Sequence, residues 1–131
     1  MKALDTNILA RYLRDDDVVQ AKRAAHFIQR AVRLGEPLYL NHVVLCELAW
    51  ILTSVYDHSK EEIISMMENI LLTGQFEFED KQSIEFALED YRRTRADLAD
   101  CLIGRRNSQL GCKATLTFDR RLKGIAAFEV I

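Results

Sequence analysis

Proline is almost missing from this sequence. One proline and five glycines in 131 residues, with no stretch where serine, glycine or proline gather, leave nothing that reads as a linker or a low-complexity tract. Long hydrophobic runs are missing too. No segment approaches the roughly 18 unbroken apolar residues of a membrane span. The short apolar start is interrupted at Asp5, so no secretory leader is expected. Cysteine is scarce and odd in number. Cys46, Cys101 and Cys112 form no CxxC pair, which speaks against a disulfide framework or a zinc site and for small buried residues in a reducing compartment. His26, His42 and His58 fall 16 residues apart, which is no ligand spacing. Walker-type, GxSxG and GxGxxG signatures are absent, which removes the common nucleotide-loop and serine-hydrolase readings. These exclusions leave one compact, cytoplasmic, globular domain over residues 1–131 as the expectation.

The net charge of −2 argues at first against a polyanionic partner, but its distribution does not. Residues 57–90 hold ten acids and two bases, which read as solvated helix faces. Residues 91–124 hold nine bases against three acids: Arg92, Arg93, Arg95, Arg105, Arg106, Lys113, Arg120, Arg121 and Lys123. Half of all lysines and arginines therefore stand in about a quarter of the chain.

Short strand signals alternate with helical periodicity. Strands are expected at residues 2–4, 38–40, 76–78, 114–118 and near 128–130. Helices are expected at 6–14, 17–34, 42–56, about 59–72, 81–95 and 97–110, with a short one after Asp119. Gly35 and Gly111 read as helix stops, and Ser59 with Glu62 as a capping box. Val18, Ala21, Ala25, Ile28 and Val32 mark the expected inner stripe of the second helix. Val44, Leu48, Ile51 and Val55 mark that of the third. The alternation indicates an α/β fold with a mainly parallel sheet and helices on both faces. Function in such sheets gathers beyond the carboxyl ends of the strands.

Asp5 and Asp119 each follow a strand, and each has a bland reading as a helix N-cap. Thr6 and Asn7 can also cap the first helix, which weakens the need for Asp5 there. Glu47 lies three residues after Val44 and four before Ile51, on their apolar stripe, where a carboxylate is costly unless paired or metal-bound. Asp97 and Asp100 stand three apart at the start of a helix; the helix dipole accounts for one more easily than for two. Such a set repels itself, so crowding is expected to raise at least one carboxyl pKa. Hard oxygen donors without suitable His or Cys point to Mg²⁺ or Mn²⁺. An acidic metal pocket flanked by cations suits metal-assisted hydrolysis of a phosphodiester in a polyanion.

The segments LDTNIL (4–9), CELAW (46–50), ADLADCLIG (96–104) and TFDRRL (117–122) resemble the four signature segments of PIN domains, in particular the bacterial VapC-type toxins. The resemblance covers essentially the whole chain, in order. It implies a three-layer α/β/α sandwich around a five-stranded parallel sheet, and a divalent-metal-dependent endoribonuclease acting as a toxin. Its acidic quartet falls on Asp5, Glu47, Asp100 and Asp119. Asp97 matches an additional aspartate, and Thr117, Thr6 and Asn7 match residues near the metal. RNA is then the substrate, with Arg92, Arg93, Arg95, Arg105, Arg106, Arg120 and Arg121 as candidate RNA-binding residues. A homodimer and a small VapB-like antitoxin protein are the implied partners, the antitoxin's tail blocking the metal site. An aromatic often stands in the family where this chain has Leu98. Two rivals remain: a catalytically silent PIN scaffold that binds RNA or protein, and a metal-dependent phosphatase. The phosphatase needs a second acid two residues after the first, where this chain has Asn7.

Overall fold

The computed structural model describes residues 1–14 and 16–131. The chain divides into two compact units, Met1–Glu79 and Asp80–Ile131.

The first unit runs β1 (Lys2–Ala3), α1 (Thr6–Leu13), α2 (Val18–Leu34), β2 (Leu38–Leu40), α3 (His42–Ser54), α4 (Lys60–Leu71) and β3 (Phe76–Phe78). Its strands pair in parallel in the order β1-β2-β3, with Leu38 opposite both Lys2 and Phe76. Parallel neighbours need crossovers, and the helices between the strands supply them. Gly35 closes α2 in the left-handed conformation (φ 65°), which a side chain would strain. Ser59 and Glu62 form the expected capping box of α4.

Leu9, Ile28, Leu40, Leu45, Leu48, Leu52, Ile63 and Met67 are fully buried in this unit. The helices present faces that differ from the expected stripes. α2 buries Ala21, Ala24, Ile28 and Ala31 and leaves Val18 and Val32 exposed. Small residues on that face let α2 lie close to α1. α3 buries Val44, Leu45, Leu48, Ala49 and Leu52, while Ile51 is half-buried and Val55 exposed. α3 is apolar nearly all round, with Val43 and Trp50 on the outside, so periodicity alone does not select its inner face.

The second unit runs α5 (Lys81–Arg92), α6 (Leu98–Gln109), β4 (Thr115–Thr117), a 3₁₀ turn (Arg120–Leu122) and β5 (Phe128–Val130). β4 and β5 pair in parallel, Thr115 opposite Phe128, and α5 packs against α6. Ala96, Leu122 and Ile125 form a small buried cluster with Phe128 against it. α5 ends at Arg92, earlier than expected, because Thr94 turns its hydroxyl onto the Arg121 carbonyl (2.7 Å) and takes the Ala96 N–H (3.1 Å).

Every strand pairing is parallel, as expected; the hydrogen bonds make a three-stranded ladder in the first unit and a two-stranded ladder in the second. Of the cysteines, only Cys101 is fully buried; Cys46 is half-buried and Cys112 exposed, so the expectation of three buried thiols holds for one. Among the described residues no helix is long and apolar enough to cross a membrane.

Candidate active site

Each strand but the last is followed within two residues by a side chain able to cap a helix, and the structure sorts these by use. Asn41, after β2, caps α3 by accepting the Val44 N–H (2.9 Å). Asp80, after β3, accepts the Ser83 N–H and hydroxyl (3.2 and 2.7 Å) at the start of α5. Asp5, after β1, stands at the N-cap position of α1, yet its carboxylate makes no capping hydrogen bond. Only its backbone carbonyl serves the helix, accepting the Ile8 and Leu9 N–H groups. The capping explanation therefore accounts for the backbone at Asp5 and leaves the exposed carboxylate over.

Thr6 is buried and donates its hydroxyl to Glu47 Oε1 (3.0 Å), tying the start of α1 to the middle of α3. Glu47 itself is exposed, which corrects the expectation of an inward-facing carboxylate. The inner stripe of α3 is Leu45-Leu48-Leu52, and Glu47 stands beside it. Asn7 is exposed and borders a cavity of about 650 Å³ beside α1 and α2, lined among others by Ile8, Phe27, Leu34, Arg23 and Arg30.

The second unit carries the other three candidate acids. Asp97 is the N-cap residue of α6, and its N–H donates to Asp100 Oδ2 (3.2 Å). Asp119 follows β4 by two residues, held by its own N–H on the Thr117 hydroxyl (3.0 Å). That bond gives Thr117 a positioning part. The Asp119 carboxylate accepts the Arg121 N–H (3.0 Å), so it does cap the 3₁₀ turn. It also accepts three guanidinium bonds from Arg121, two from Nε at 3.0 Å and one from Nη2 at 2.7 Å. The same Nη2 lies 3.8 Å from Asp100 Oδ2, and Nη1 donates to the Arg95 carbonyl (3.4 Å). The hydrogen bond from Arg121 holds the Asp119 carboxyl below its ordinary pKa, and Asp119 in turn raises that of Arg121. Burial works the other way on Asp119, and the Arg121 hydrogen bonds outweigh it.

The basic block is largely occupied within its own unit. Arg105 binds the fully buried Asp90 through Nε and Nη2 (2.6 and 2.8 Å), and Arg93 reaches the same carboxylate (3.1 Å). Arg92 pairs with Glu89, and Arg106 with Asp80. Arg95 and Arg120 are exposed and have no ion pair among the described residues. The burial of Asp90 corrects its reading as part of a solvated acidic face. A signal is present in the sequence: Asp90 falls three residues after Ala87 and beside Tyr91 on the inner stripe of α5.

The candidate donors are all carboxylate oxygens, the set that Mg²⁺ or Mn²⁺ prefers. Neither unit by itself gathers three His, Cys, Asp or Glu side chains that could hold a metal, among the described residues. Asp100 and Asp119 nonetheless face one cation, the Arg121 guanidinium, so their oxygens fit a positive charge at that place.

The family model described as PIN domain matches residues 2–127. The chain is also 29% identical over 123 residues to a VapC ribonuclease of Aquifex aeolicus (strain VF5), covering 94% of this chain and 90% of that protein.

Proposed function

This chain belongs to the PIN-domain family, and on that footing we propose that it is a divalent-metal-dependent endoribonuclease acting as a growth-inhibiting toxin. The observation that carries the reading is the use of the strand-end side chains. Asn41 is consumed by capping, and Asp80 by capping and its pair with Arg106, whereas the Asp5 carboxylate makes no capping bond. Asp119, which also caps its own turn, and Asp100 at the start of α6 both face Arg121. The similarity to a protein named VapC ribonuclease supports the same class. The family match runs through both units, which supports reading residues 1–131 as one PIN-like domain.

Asp5, Glu47, Asp100 and Asp119 are the proposed carboxylate set for Mg²⁺ or Mn²⁺. The ion, when bound, supplies a more acidic water and charge neutralisation at the phosphate. Thr6 holds Glu47 through its hydroxyl, and Thr117 holds Asp119 through the backbone N–H. Asp97, as the N-cap of α6 whose N–H orients Asp100, is a lesser ligand than Asp100. Asn7, exposed two residues after Asp5, is proposed as a residue lining the site. Arg95 and Arg120, exposed and without ion pairs among the described residues, are the foremost of the basic residues for holding the RNA backbone.

The proposed partners are a small VapB-like antitoxin and a second copy of the chain. The cavity beside α1 and α2, apolar with arginines among its lining, suits an acidic amphipathic segment of such an antitoxin. Val43 and Trp50, exposed on α3, suit a contact between copies. The proposed site of action is the cytoplasm. A silent RNA-binding scaffold is the second reading, and the tight hold of Arg121 on Asp119 is what favours it.

Induction of the chain in a bacterial host, followed by sequencing of RNA 5′ ends, tests the proposal. New 5′ ends and growth arrest with wild type, both lost with Asp5→Asn, are the expected result. Unchanged RNA ends during full expression would overturn it.

A further inference from the structure

Arg121 joins two of the candidate acids and a backbone carbonyl. Its guanidinium donates three hydrogen bonds to Asp119, comes within 3.8 Å of Asp100 and hydrogen-bonds the Arg95 carbonyl, while nearly half of the side chain stays open to solvent. The fork geometry matches a carboxylate through two nitrogens at once. Both Asp119 oxygens are thereby engaged, and the nearer Asp100 oxygen faces the same positive group.

We propose that Arg121 is a resident counter-ion which a divalent cation must displace from Asp119 and Asp100, and that the displaced guanidinium then takes an RNA phosphate, so that metal and RNA bind cooperatively. The inference rests on the metal-dependent reading above and adds to it a residue that sets the order and strength of loading.

Carboxylate oxygens approach Mg²⁺ to about 2.0–2.1 Å, and those of Asp119 cannot direct the same lone pairs to the fork and to the ion. A divalent ion beside Asp119 would repel a guanidinium left in place, since both are cations at close range. Once released, Arg121 has exposed space to move into, and it rides on the short turn next to Arg120, with the Arg95 backbone beside it. A freed guanidinium binds phosphate with the same two-nitrogen geometry that it used for carboxylate. Because metal frees the group that binds RNA, RNA in turn tightens metal by the same factor.

Manganese binding to the full chain, followed by calorimetry and by the electron paramagnetic resonance signal of free Mn²⁺, reads this directly without turnover. The probe for the second ligand is a single-stranded, fully phosphorothioate RNA. Wild type should bind Mn²⁺ weakly alone and several-fold more tightly with the oligonucleotide. Arg121→Gln should bind Mn²⁺ about tenfold more tightly alone, as expected when a competing charge is removed, and gain less from the oligonucleotide. Arg121→Lys keeps the charge but not the fork, and should fall between the two. Far-ultraviolet circular dichroism of each variant checks the fold. Equal or weaker Mn²⁺ binding by Arg121→Gln, with wild type binding the metal, would overturn the inference and leave the metal-dependent reading standing. Failure of wild type and both variants to bind Mn²⁺ at all would overturn the metal-dependent reading and the inference with it.

Discussion

Arg105 grips Asp90 through two nitrogens, at 2.6 and 2.8 Å, and the carboxylate it holds has no exposed surface. The pair clamps α6 to α5, and the Arg105 guanidinium lies 5.2 Å from the centre of the Phe86 ring. Removing one partner of a buried pair leaves the other charge uncompensated, which costs about 3–5 kcal/mol. Arg105 is partly exposed, and Arg93 still reaches the Asp90 carboxylate (3.1 Å) in its absence, so the low end of that range is the upper bound: Arg105→Ala should destabilise the protein by up to about 3 kcal/mol. Urea denaturation measures it, with Arg95→Ala as the contrast that leaves the midpoint unchanged.

The same pairing separates structural arginines from those proposed to hold RNA. Arg92, Arg93, Arg105 and Arg106 each have an acidic partner, whereas Arg95 and Arg120 have none among the described residues. Replacing Arg95 and Arg120 with Ala should lower the slope of log affinity against log salt by about 0.7 for each phosphate of a single-stranded RNA that is no longer neutralised. Arg92→Ala should leave the slope near its original value. Fluorescence anisotropy across a salt series separates the two, and a slope that follows Arg92 instead would reverse the assignment.

Thr6 is buried and holds Glu47 by a single hydroxyl bond. Thr6→Val keeps the shape and removes the donor. Hydrogen bonds to charged groups contribute about 1.5–3 kcal/mol, so a loss of about tenfold in cleavage rate is expected if Glu47 is placed by this bond, at about 1.4 kcal/mol per factor of ten. Thr6→Ser should retain most of the rate. A Thr6→Val protein as active as wild type would show that Glu47 needs no such support.

Gly104 sits inside α6, where alanine would ordinarily add about 1 kcal/mol of helix stability. Here an added Cβ would run into the Phe128 ring and lie 3.1 Å from Ala127 Cβ. Overpacking costs typically about 1–3 kcal/mol, so Gly104→Ala should lower the melting temperature. The double substitution Gly104→Ala with Phe128→Leu should recover part of the loss. A rise in melting temperature for the single variant would mean that Phe128 moves aside freely.

Much of the fold is legible in the sequence because its boundaries are written in local chemistry. β2, β3 and β5 fall where they are expected, and Gly35, through its left-handed turn, and the Ser59–Glu62 box, through local side-chain bonds to the backbone, punctuate the helices without a distant partner. The inner face of α3 is not legible, since Val43, Trp50 and Val55 are as apolar as the residues it buries. Glu47 is misplaced for that reason. Asp90 and the arginines escape a sequence reading because an ion pair between α5 and α6 depends on a helix packing that charge counting does not see. Thr6 stands out by resemblance, but its bond to Glu47 joins residues 41 apart and leaves no trace in either local segment.

The proposed function makes Asp100 the foremost carboxylate of the second unit for metal-dependent RNA cleavage. The most direct test is cleavage of a single-stranded RNA by purified wild type, Asp97→Asn and Asp100→Asn, each with Mg²⁺ or Mn²⁺ and again in excess chelator. The predicted result is cleavage by wild type only with metal, complete loss in Asp100→Asn and partial retention in Asp97→Asn. Full cleavage by wild type in excess chelator, or by Asp100→Asn with metal, would contradict it.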